Sequence, residues 1–493
     1  MISAHLPILQ VVVPLIAAPL GLLFRRTPNL AWLLTLVISW LTLAISVALL
    51  AQVLTGGPIS YELGSWAPPW GIEYRIDILS AFVLLIVSGV GALVILYARQ
   101  SVEAEIPGDR IYLFYTMYLL ALAGLLGIVT TGDAFNLFVF LEISSLSSYV
   151  LIALGAERRA LTAAFRYLVL GTIGATFYVI GVGLMYQMTG TLNIADLAAR
   201  LPDVVQTRTM LVAIGFLTVG IGLKLGLFPV HVWLPNAYTY APSVVTAFLA
   251  ATATKVAVYV LLRMYYTVFQ GHLFAPLPVD EILFVLGILA MLAMSAVAIF
   301  QTNAKRLLAY SSVAQIGYMI LGISLVTVTG LTAGVLHLFN HALMKAALFL
   351  ALGCVFLRIR SAKVDDMAGL GKAMPWTMAA FVLGGFSLIG VPLTVGFISK
   401  WYLILAALEK DWWWLAAIIL ISSLLAVIYI WRVVEVAYFR ARPAEAPPVT
   451  EAPLFMLVPM WALVLANIYF GIDTDLTVGT AARAAQFLMG VGS

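Results

Sequence analysis

The sequence carries little charge: 10% of its 493 residues are Asp, Glu, Lys or Arg, whereas 63% are hydrophobic. A soluble domain has about a quarter charged residues, so this composition excludes an ordinary soluble enzyme and a disordered scaffold. The net charge of +4 comes from 26 basic and 22 acidic residues. No basic cluster could follow a phosphate backbone, which excludes a nucleic-acid binder. The chain is therefore predicted to be an integral membrane protein.

Cysteine occurs once, at Cys354. A single thiol excludes a disulfide framework, a zinc site built on several cysteines and a cysteine-held iron–sulfur cluster. The sequence contains no flavin or quinone motif, and neither Gly-x-Ser-x-Gly nor His-Glu-x-x-His points to a hydrolase. We therefore predict no cofactor and no metal, so any redox chemistry would have to come from partner chains.

Long apolar runs account for most of the chain. A membrane-spanning helix needs about 20 mostly apolar residues, and these runs are too long for the tilted strands of a barrel. The sequence therefore predicts an all-α membrane protein with fourteen transmembrane helices, and the loops 55–75 and 190–208 have room for a short hairpin or an interfacial helix. The predicted spans are 5–24, 31–54, 76–98, 111–131, 134–154, 160–188, 209–230, 243–269, 280–300, 306–328, 331–357, 375–407, 412–438 and 453–471.

Basic residues are unevenly distributed between the two sets of loops. Loops after odd-numbered spans hold fourteen Lys and Arg residues, and the opposite loops hold six, among them Arg263. We call the richer side the basic face. Because basic loops stay in the cytoplasm, we predict a multi-pass protein of the prokaryotic inner membrane with both termini on the non-cytoplasmic side.

An internal repeat emerges when the sequence is shifted by 170 residues. Thr131-Gly-Asp-Ala-Phe-Asn-Leu137 falls on Gln301-Thr-Asn-Ala-Lys-Arg-Leu307, and a lysine beside a proline break recurs at Lys224 and Lys400. Spans 4–8 and 9–13 are five helices apart, an odd number, so the second unit starts from the other side of the membrane. This pattern predicts two inverted five-helix repeats, as in many transporters, with helices 7 and 12 broken. The predicted segments are 1–110 (three N-terminal helices), 111–270 (first repeat), 271–438 (second repeat) and 439–493 (last helix and tail).

Ionisable residues inside the spans are costly unless they meet a partner or water, so each is a functional hypothesis. Lysine dominates this set. An ammonium group releases its proton when desolvated, whereas a guanidinium group does not. Buried lysines near a movable carboxylate therefore indicate a proton relay, and the arginines indicate structural or electrostatic roles. The residues are Glu142, Arg166, Lys224, Lys255, His337, His341, Lys345, Lys400, Arg432 and Glu435.

Glu142 is the one acid predicted deep in a span, and its sequence context favours a counter-ion that releases a lysine when the pair separates. The alternative is a permanent ion pair that fixes two helices. Lys224 lies among glycines and precedes Pro229, which loosens the helix and exposes carbonyls. His231, next to this break, has two open interpretations, as a relay residue or as a simple interfacial one.

His337, His341 and Lys345 are spaced at i, i+4 and i+8, so they share one helical face. Two histidines at this spacing could bind a metal. No Glu or Cys ligand accompanies them, however, and Lys345 would repel a cation. The pattern favours a hydrated stripe of exchangeable protons over metal binding or simple packing.

Several of these motifs resemble the proton-pumping antiporter-like membrane subunits of respiratory complex I, membrane-bound hydrogenases and Mrp-type cation/proton antiporters. The motifs are Phe228-Pro-Val-His-Val-Trp-Leu-Pro235 with Lys224 and Lys255, residues 303–318, and His337-Leu-Phe-Asn-His-Ala-Leu-Met-Lys345. The resemblance covers essentially the whole chain. Residues 135–142 look most like the D subunit of the Mrp-type Na+/H+ antiporters. Lys400 differs from the glutamate of some complex I members, and Asn236 stands where the family usually has aspartate.

The resemblance implies a proton-translocating subunit of a multisubunit Na+/H+ antiporter rather than an enzyme. Its partners would be other membrane subunits including a larger homologue, membrane lipids, protons and Na+. Two alternatives remain open: the same proton pump in a complex I-like or hydrogenase-linked redox complex, and a stand-alone secondary transporter. The implied relay residues are Glu142, Lys224, Lys255, His337, His341, Lys345 and Lys400, with His231, Arg166, Arg432 and Glu435 as auxiliary residues.

Overall fold

A computed structural model describes residues 2–274 and 276–491, and most of them are helical. The first ten helices are α1 (Leu6–Leu20), α2 (Pro28–Gly56), α3 (Ile78–Glu105), α4 (Ile111–Thr130), α5 (Ala134–Ala153), α6 (Arg158–Thr189), α7 (Ile194–Arg200), α8 (Arg208–Leu225), α9 (Leu234–Tyr240) and α10 (Ser243–Ala251). The other ten are α11 (Ala253–Leu262), α12 (Val279–Ile299), α13 (Ala304–Ser324), α14 (Val328–Ile359), α15 (Leu370–Ala373), α16 (Pro375–Ile389), α17 (Val395–Leu408), α18 (Trp413–Phe439), α19 (Leu454–Ile472) and α20 (Asp475–Met489).

The predicted membrane spans are confirmed as helices. Over the described residues, thirteen helices are long and apolar enough to cross a membrane. The fourteenth predicted span, 375–407, consists of two half-length helices, α16 and α17, so the predicted break in helix 12 is confirmed. Helix 7 is also broken, because α8 ends at Leu225 rather than near residue 230 and a turn leads to α9.

Glycines with positive φ produce the two predicted breaks. Gly226 (φ +74°) follows α8, and Gly390 (φ +93°) follows α16. Such left-handed residues are the usual C-terminal stop of a helix, and a proline soon after prevents it from continuing. Span 8 contains a third break that the sequence did not predict: at Thr252 (φ −121°, ψ −58°) the chain leaves helical geometry between α10 and α11.

The second and third helices of the two five-helix repeats match in their boundaries. Helices α6 and α14 each contain 32 residues, and both ends differ by 170 in number. At the start of α5 the Asp133 side chain accepts a hydrogen bond from the third backbone N–H, and Asn303 does the same at the start of α13. Such N-caps satisfy donors that the first turn leaves free. The segment boundaries at 110, 270 and 438 remain a prediction.

The loops predicted at 55–75 and 190–208 contain a short hairpin and a short helix, respectively. Strands β1 (Ile59–Glu62) and β2 (Glu73–Ile76) pair antiparallel, and Ile59 lies opposite Ile76. Helix α7 occupies the second loop. The C-terminal helix α20 was not predicted, because its mixed polar and small residues do not form an apolar run, and it packs on α3 and α14.

Helix α14 forms the centre of the bundle, since every residue from 330 to 355 is buried. The outer helices expose large apolar side chains instead, among them Trp40 on α2 and Leu424 on α18. In a soluble protein such exposure would be costly, but the hydrocarbon interior of a membrane accepts it. The functional side chains therefore have to be sought around α14.

Two pairs of neighbouring helices cross at glycines. A Cβ atom on Gly317 of α13 would lie 2.7 Å from the Gly287 carbonyl oxygen of α12, and one on Gly220 of α8 would lie 2.7 Å from the Gly174 carbonyl oxygen of α6. Small residues let membrane helices approach this closely. Each repeat therefore contains a tight crossing at which a larger side chain would not fit.

Replacing Gly317 by Leu should force α12 and α13 apart. We expect an overpacking cost of about 1–3 kcal/mol, visible as a lower midpoint of thermal unfolding in detergent. The control is Gly215→Ala on α8, where an added Cβ would meet nothing within 4 Å; we expect it to be neutral or to gain roughly 0.5–1 kcal/mol. Equal midpoints for the two variants would contradict the tight crossing.

Candidate functional site

The predicted lysines and histidines are buried inside the bundle. Their side chains come from α8, α11, α14 and α17, and none is more than 7% exposed. Burying this many protonatable groups is expensive without hydrogen-bond partners. The residues are Lys224, Lys255, His337, His341, Lys345 and Lys400.

Lys224 lies near the end of α8 and has two acceptors on α5. Its Nζ donates to Ser145 Oγ at 2.7 Å and to Glu142 Oε1 at 3.4 Å. The Trp233 indole donates to the Leu223 carbonyl at 2.8 Å and so fixes the turn that follows. The Glu142 side chain is 25% exposed. The ion pair therefore lies at the outer edge of the bundle, while along the helix Glu142 is in mid-span, as predicted.

Lys255 lies just after the break between α10 and α11. Its Nζ donates to the Ala250 carbonyl oxygen and to Thr254 Oγ1, the latter at 3.3 Å. Because the helix is interrupted at Thr252, the carbonyl of Ala250 belongs to the free C-terminal end of α10. The break therefore supplies an acceptor for a lysine that has no carboxylate partner.

The three residues of α14 share one face, as predicted. The rings of His337 and His341 are stacked at 5.8 Å. His337 is hydrogen-bonded to Ser399 Oγ at 2.8 Å and donates to Gln315 Oε1 at 2.9 Å. Lys345 donates to the Leu308 carbonyl at 2.8 Å and to Ser311 Oγ.

His341 occupies the middle of this arrangement. Within the described part of the chain, neither of its ring nitrogens has a hydrogen-bond partner. Its ring stacks on that of His337, and Lys345 lies one turn further along the same face of α14. His341 therefore lies between His337 and Lys345, within Coulombic reach of Lys255 on α11.

Lys400 ends the line on the side of the broken helix 12. Its Nζ donates to the carbonyls of Leu388 at 3.0 Å and Ile389 at 2.8 Å, which are the last residues of α16. It also lies 4.9 Å from the centroid of the Tyr318 ring, and that ring is 5.8 Å from the ring of His337. Tyr318 thus bridges Lys400 and the histidine pair.

The predicted auxiliary residues lie away from this line. His231 is buried in the turn after α8, and its ring stacks on Phe228 at 5.6 Å. Arg166 is exposed on the outside of α6. Arg432 donates to the Gln301 carbonyl at 3.4 Å, and Glu435 pairs with Arg440. The last two therefore lie near the end of α18 rather than in mid-span, which corrects the sequence interpretation.

The line also has neutral partners that were not predicted from the sequence, namely Ser145, Ser311, Gln315 and Ser399. A signal for two of them exists, because Ser311 and Gln315 are spaced at i, i+4 in α13 and so share one face. Such residues are common in membrane helices, and the sequence alone does not tell which of them face a lysine.

A buried ion pair was also missed: from the sequence, Arg263 was counted on the side opposite the basic face and assigned no partner. Arg263 begins a π-helical turn after α11, is 5% exposed and pairs with Asp77 at 2.5 Å. The same guanidinium donates to Ser80 Oγ at 2.7 Å and Tyr259 Oη at 2.9 Å. Asp77 also caps α3 through the Ser80 backbone N–H. This pair joins α3 to α11.

Comparison with known proteins agrees with this architecture. Residues 131–426 match the family model described as NADH:quinone oxidoreductase/Mrp antiporter, TM. The chain is 42% identical to the N subunit of NADH-quinone oxidoreductase from Desulforudis audaxviator, covering 98% of this chain and 99% of that protein. It is 31% identical to the D subunit of the Na(+)/H(+) antiporter from Alkalihalophilus pseudofirmus, covering 96% and 94%. A chain in the structure of the Mrp complex from Dietzia sp. superposes with a TM-score of 0.91 at 28% identity, covering 99% and 98%.

The broken helices and the buried lysine line thus define a membrane subunit of the antiporter-like class. The chain belongs to the NADH:quinone oxidoreductase/Mrp antiporter transmembrane family. The predicted resemblance to the Mrp-type D subunit and to complex I-like subunits is confirmed. The chain is accordingly a membrane subunit of the transporter type.

Removing Arg263 should leave the Asp77 carboxylate buried without its cation. We expect Arg263→Leu to lower the free energy of unfolding by about 3–5 kcal/mol, measured by thermal unfolding in detergent. The double variant Asp77→Asn/Arg263→Leu should recover more than half of this loss, because Asn is neutral and still caps α3.

The matched control for this ion pair is Arg200→Leu. Arg200 pairs with Asp196 at 2.9 Å, but its side chain is 49% exposed, and such surface pairs are worth only about 0–1 kcal/mol. An Arg263→Leu variant as stable as Arg200→Leu would show that the buried pair does not hold α3 and α11 together.

Proposed function

We propose that this chain is the proton-translocating subunit of a multisubunit Na+/H+ antiporter. The observation that carries the proposal is the line of buried protonatable side chains from Lys224 through Lys255 and the α14 residues to Lys400. Four lysines and two histidines in one line are costly to bury. Apolar residues would pack better at these positions, so packing does not explain their presence. Similarity over nearly the whole chain to the D subunit of an Na+/H+ antiporter supports this assignment.

The Glu142–Lys224 pair is the proposed switch of the relay. Lys224 holds a neutral acceptor at 2.7 Å and an anionic one at 3.4 Å, so a small shift of Nζ changes how strongly the carboxylate stabilises the ammonium. A nearby opposite charge favours the charged form, and separation favours release of the proton. Moving Glu142 and Lys224 apart would therefore drive a proton from Lys224 towards Lys255.

The remaining steps use neutral acceptors. Lys255, Lys345 and Lys400 each donate to backbone carbonyls or hydroxyls rather than to carboxylates. Loss of the proton leaves a neutral amine beside a neutral acceptor, and no buried anion is left unpaired. The histidine pair lies between these lysines and supplies ring nitrogens that both accept and donate protons.

The basic face is proposed to lie in the cytoplasm, with both termini outside, because of its excess of Lys and Arg. The proposed partners are other membrane subunits, including a larger homologous one, and the transported ions are protons and Na+. The Alkalihalophilus relative is named as a subunit of an Na+/H+ antiporter, which supports both these ions and the presence of other subunits.

Substitution of either member of the switch should abolish proton-coupled transport. We expect Lys224→Ala and Glu142→Ala to reduce transport by on the order of a hundredfold or more, measured with a pH-sensitive dye in membrane vesicles that contain the assembled complex. The exposed Lys372→Ala and Glu281→Ala remove the same charges from the surface and should retain transport. Full transport by an assembled Lys224→Ala or Glu142→Ala complex would refute the relay.

A second function has support of its own. The 42% identical relative is named as a quinone oxidoreductase subunit, which favours the same relay driven by electron transfer in a complex I-like assembly. Lys400 supports the antiporter assignment instead, because some complex I members that resemble this chain have glutamate at this position. A stand-alone transporter is less consistent with the structure, because its polar residues form a line rather than one compact substrate site.

Mass spectrometry of what co-purifies with the chain from its native membrane in mild detergent should separate these functions. For the antiporter, we expect small cofactor-free membrane subunits and a larger homologue. Polypeptides that carry iron–sulfur clusters or flavin would instead assign the relay to a redox-driven pump. A chain that purifies alone and still transports in vesicles would contradict the subunit assignment.

A further inference from the structure

A cavity of about 640 Å³ opens on the basic face between the two repeats. Its walls come from the end of α3, the α5–α6 and α9–α10 connections, the start of α13 and the end of α14. All of these segments lie at the loops that follow odd-numbered spans. Its acidic lining residues are Glu105 and Glu157, and Lys305 lies on its inner wall. The cavity therefore offers a polar route from the basic face towards the centre of the bundle.

Lys305 is a buried lysine that the relay described above does not use. It is 3% exposed, and its Nζ lies 3.5 Å from the Ala241 carbonyl oxygen and 4.7 Å from the centroid of the Phe356 ring. It forms no salt bridge with a described carboxylate. Like Lys255, Lys345 and Lys400, it donates to a backbone carbonyl.

Helix α13 connects Lys305 to the relay. Leu308 and Ser311, the two acceptors of Lys345, lie three and six residues further along the same helix. At 1.5 Å per residue these positions are about 4.5 and 9 Å along the helix axis from Lys305. Lys305 thus lies between the cavity and the basic-face end of the relay.

Glu105 provides a fixed negative charge beside the cavity. Its Oε1 accepts from Ser101 Oγ at 2.9 Å, and its Oε2 accepts from the backbone N–H of Ser243 at 2.9 Å and from the hydroxyl of Ser243 at 3.1 Å. These three donors hold the carboxylate in place at the cavity wall. Glu105 therefore attracts cations into the cavity, while the proton itself needs another carrier.

The opposite face has an equivalent cavity without a lysine. It is lined by Thr131 and Gly132, which precede Gln301 and Thr302 of the larger cavity by 170 residues. The residue 170 before Lys305 is Phe135, which is 46% exposed. The charged side chains there include Asp77 and Arg263, and an arginine does not release its proton. Each face thus has a cavity of its own. Among the described lining residues of the two cavities, lysines occur only in the one on the basic face.

We propose that Lys305 is a further proton-binding residue, which exchanges protons between water in the cavity and Lys345. In one direction a neutral Lys305 takes a proton from hydronium in the cavity, leaving water. It then passes that proton through water to the neutral amine of Lys345 and becomes neutral again. This inference rests on the proposed transport function, since it places one end of the same relay.

Three substitutions in the assembled complex test the role of Lys305. Lys305→Gln should reduce proton transport by on the order of tenfold or more, because the amide does not bind a proton. Lys305→Arg keeps the cation over Phe356 and its contact with Ala241 but does not release a proton, so transport should stay equally low. The matched control, Lys363→Gln, removes a charge from an exposed position of the same cavity and should keep transport near the wild-type rate.

The outcomes separate this inference from the proposed function. If Lys224→Ala abolishes transport while Lys305→Gln retains it, the relay stands and the role of Lys305 is overturned. Recovery of the wild-type rate by Lys305→Arg would also overturn it, because a structural cation would then suffice. If Lys224→Ala itself transports normally, the proposed function fails whatever Lys305 does.

Thiol labelling tests the access route independently of activity. Lys305→Cys should react with a small membrane-impermeant methanethiosulfonate added from the basic face and not from the other side. The native Cys354 is fully buried, so the unsubstituted chain provides the background. Labelling from the opposite face, or none above this background, would show that the cavity does not give water access to residue 305.

Discussion

A buried ammonium must find acceptors, and this requirement determines where the helices of the bundle break. In the interior of an intact helix each carbonyl already accepts a backbone hydrogen bond, whereas the last turn leaves several carbonyls unpaired and carries the negative end of the helix dipole. Lys400 uses the end of α16, and Lys255 uses the end of α10. Gly390 and the distorted Thr252 are thus not defects in the fold. They bring helix ends into mid-membrane, where a cation without a carboxylate would otherwise be untenable.

The distribution of acids follows from the same requirement. Among the lysines that the structure describes, only Lys224 is paired with a carboxylate. Its partner Glu142 lies at the outer edge of the bundle, where its side chain is partly exposed. Neutral acceptors in the interior let a lysine change its charge without leaving an anion stranded in a low-dielectric region. Where a permanent pair is needed to hold helices together, the chain uses Arg263 with Asp77, and arginine keeps its proton. Structural and exchangeable cations are therefore different residue types.

Much of this organisation could be predicted from the sequence, because long apolar runs, glycine–proline breaks and charges within spans leave strong signals. The direction in which individual side chains point could not be predicted. In a soluble protein an apolar stripe marks the core, but in a membrane both the lipid side and the interior of a helix are apolar. Arg166 was therefore indistinguishable from a buried residue, and Gln315 and Ser399 went unnoticed as partners of His337. The break at Thr252 left no signal either, because neither glycine nor proline marks it.

The equal lengths of α6 and α14 have a consequence for how the two repeats can diverge. Much of α6 lies against the outside of the bundle, where any apolar side chain of suitable size is accepted, whereas α14 is buried throughout residues 330–355. Interiors are close-packed, so a change in volume there must be matched by a neighbour. The corresponding helix is thus peripheral in the first repeat, where it is α6, and central in the second, where it is α14. Single mutations can therefore accumulate on the lipid-facing surface of α6, whereas α14 accepts changes only together with compensating changes in its neighbours. The two helices are expected to diverge from their common ancestral sequence at different rates while keeping the same length.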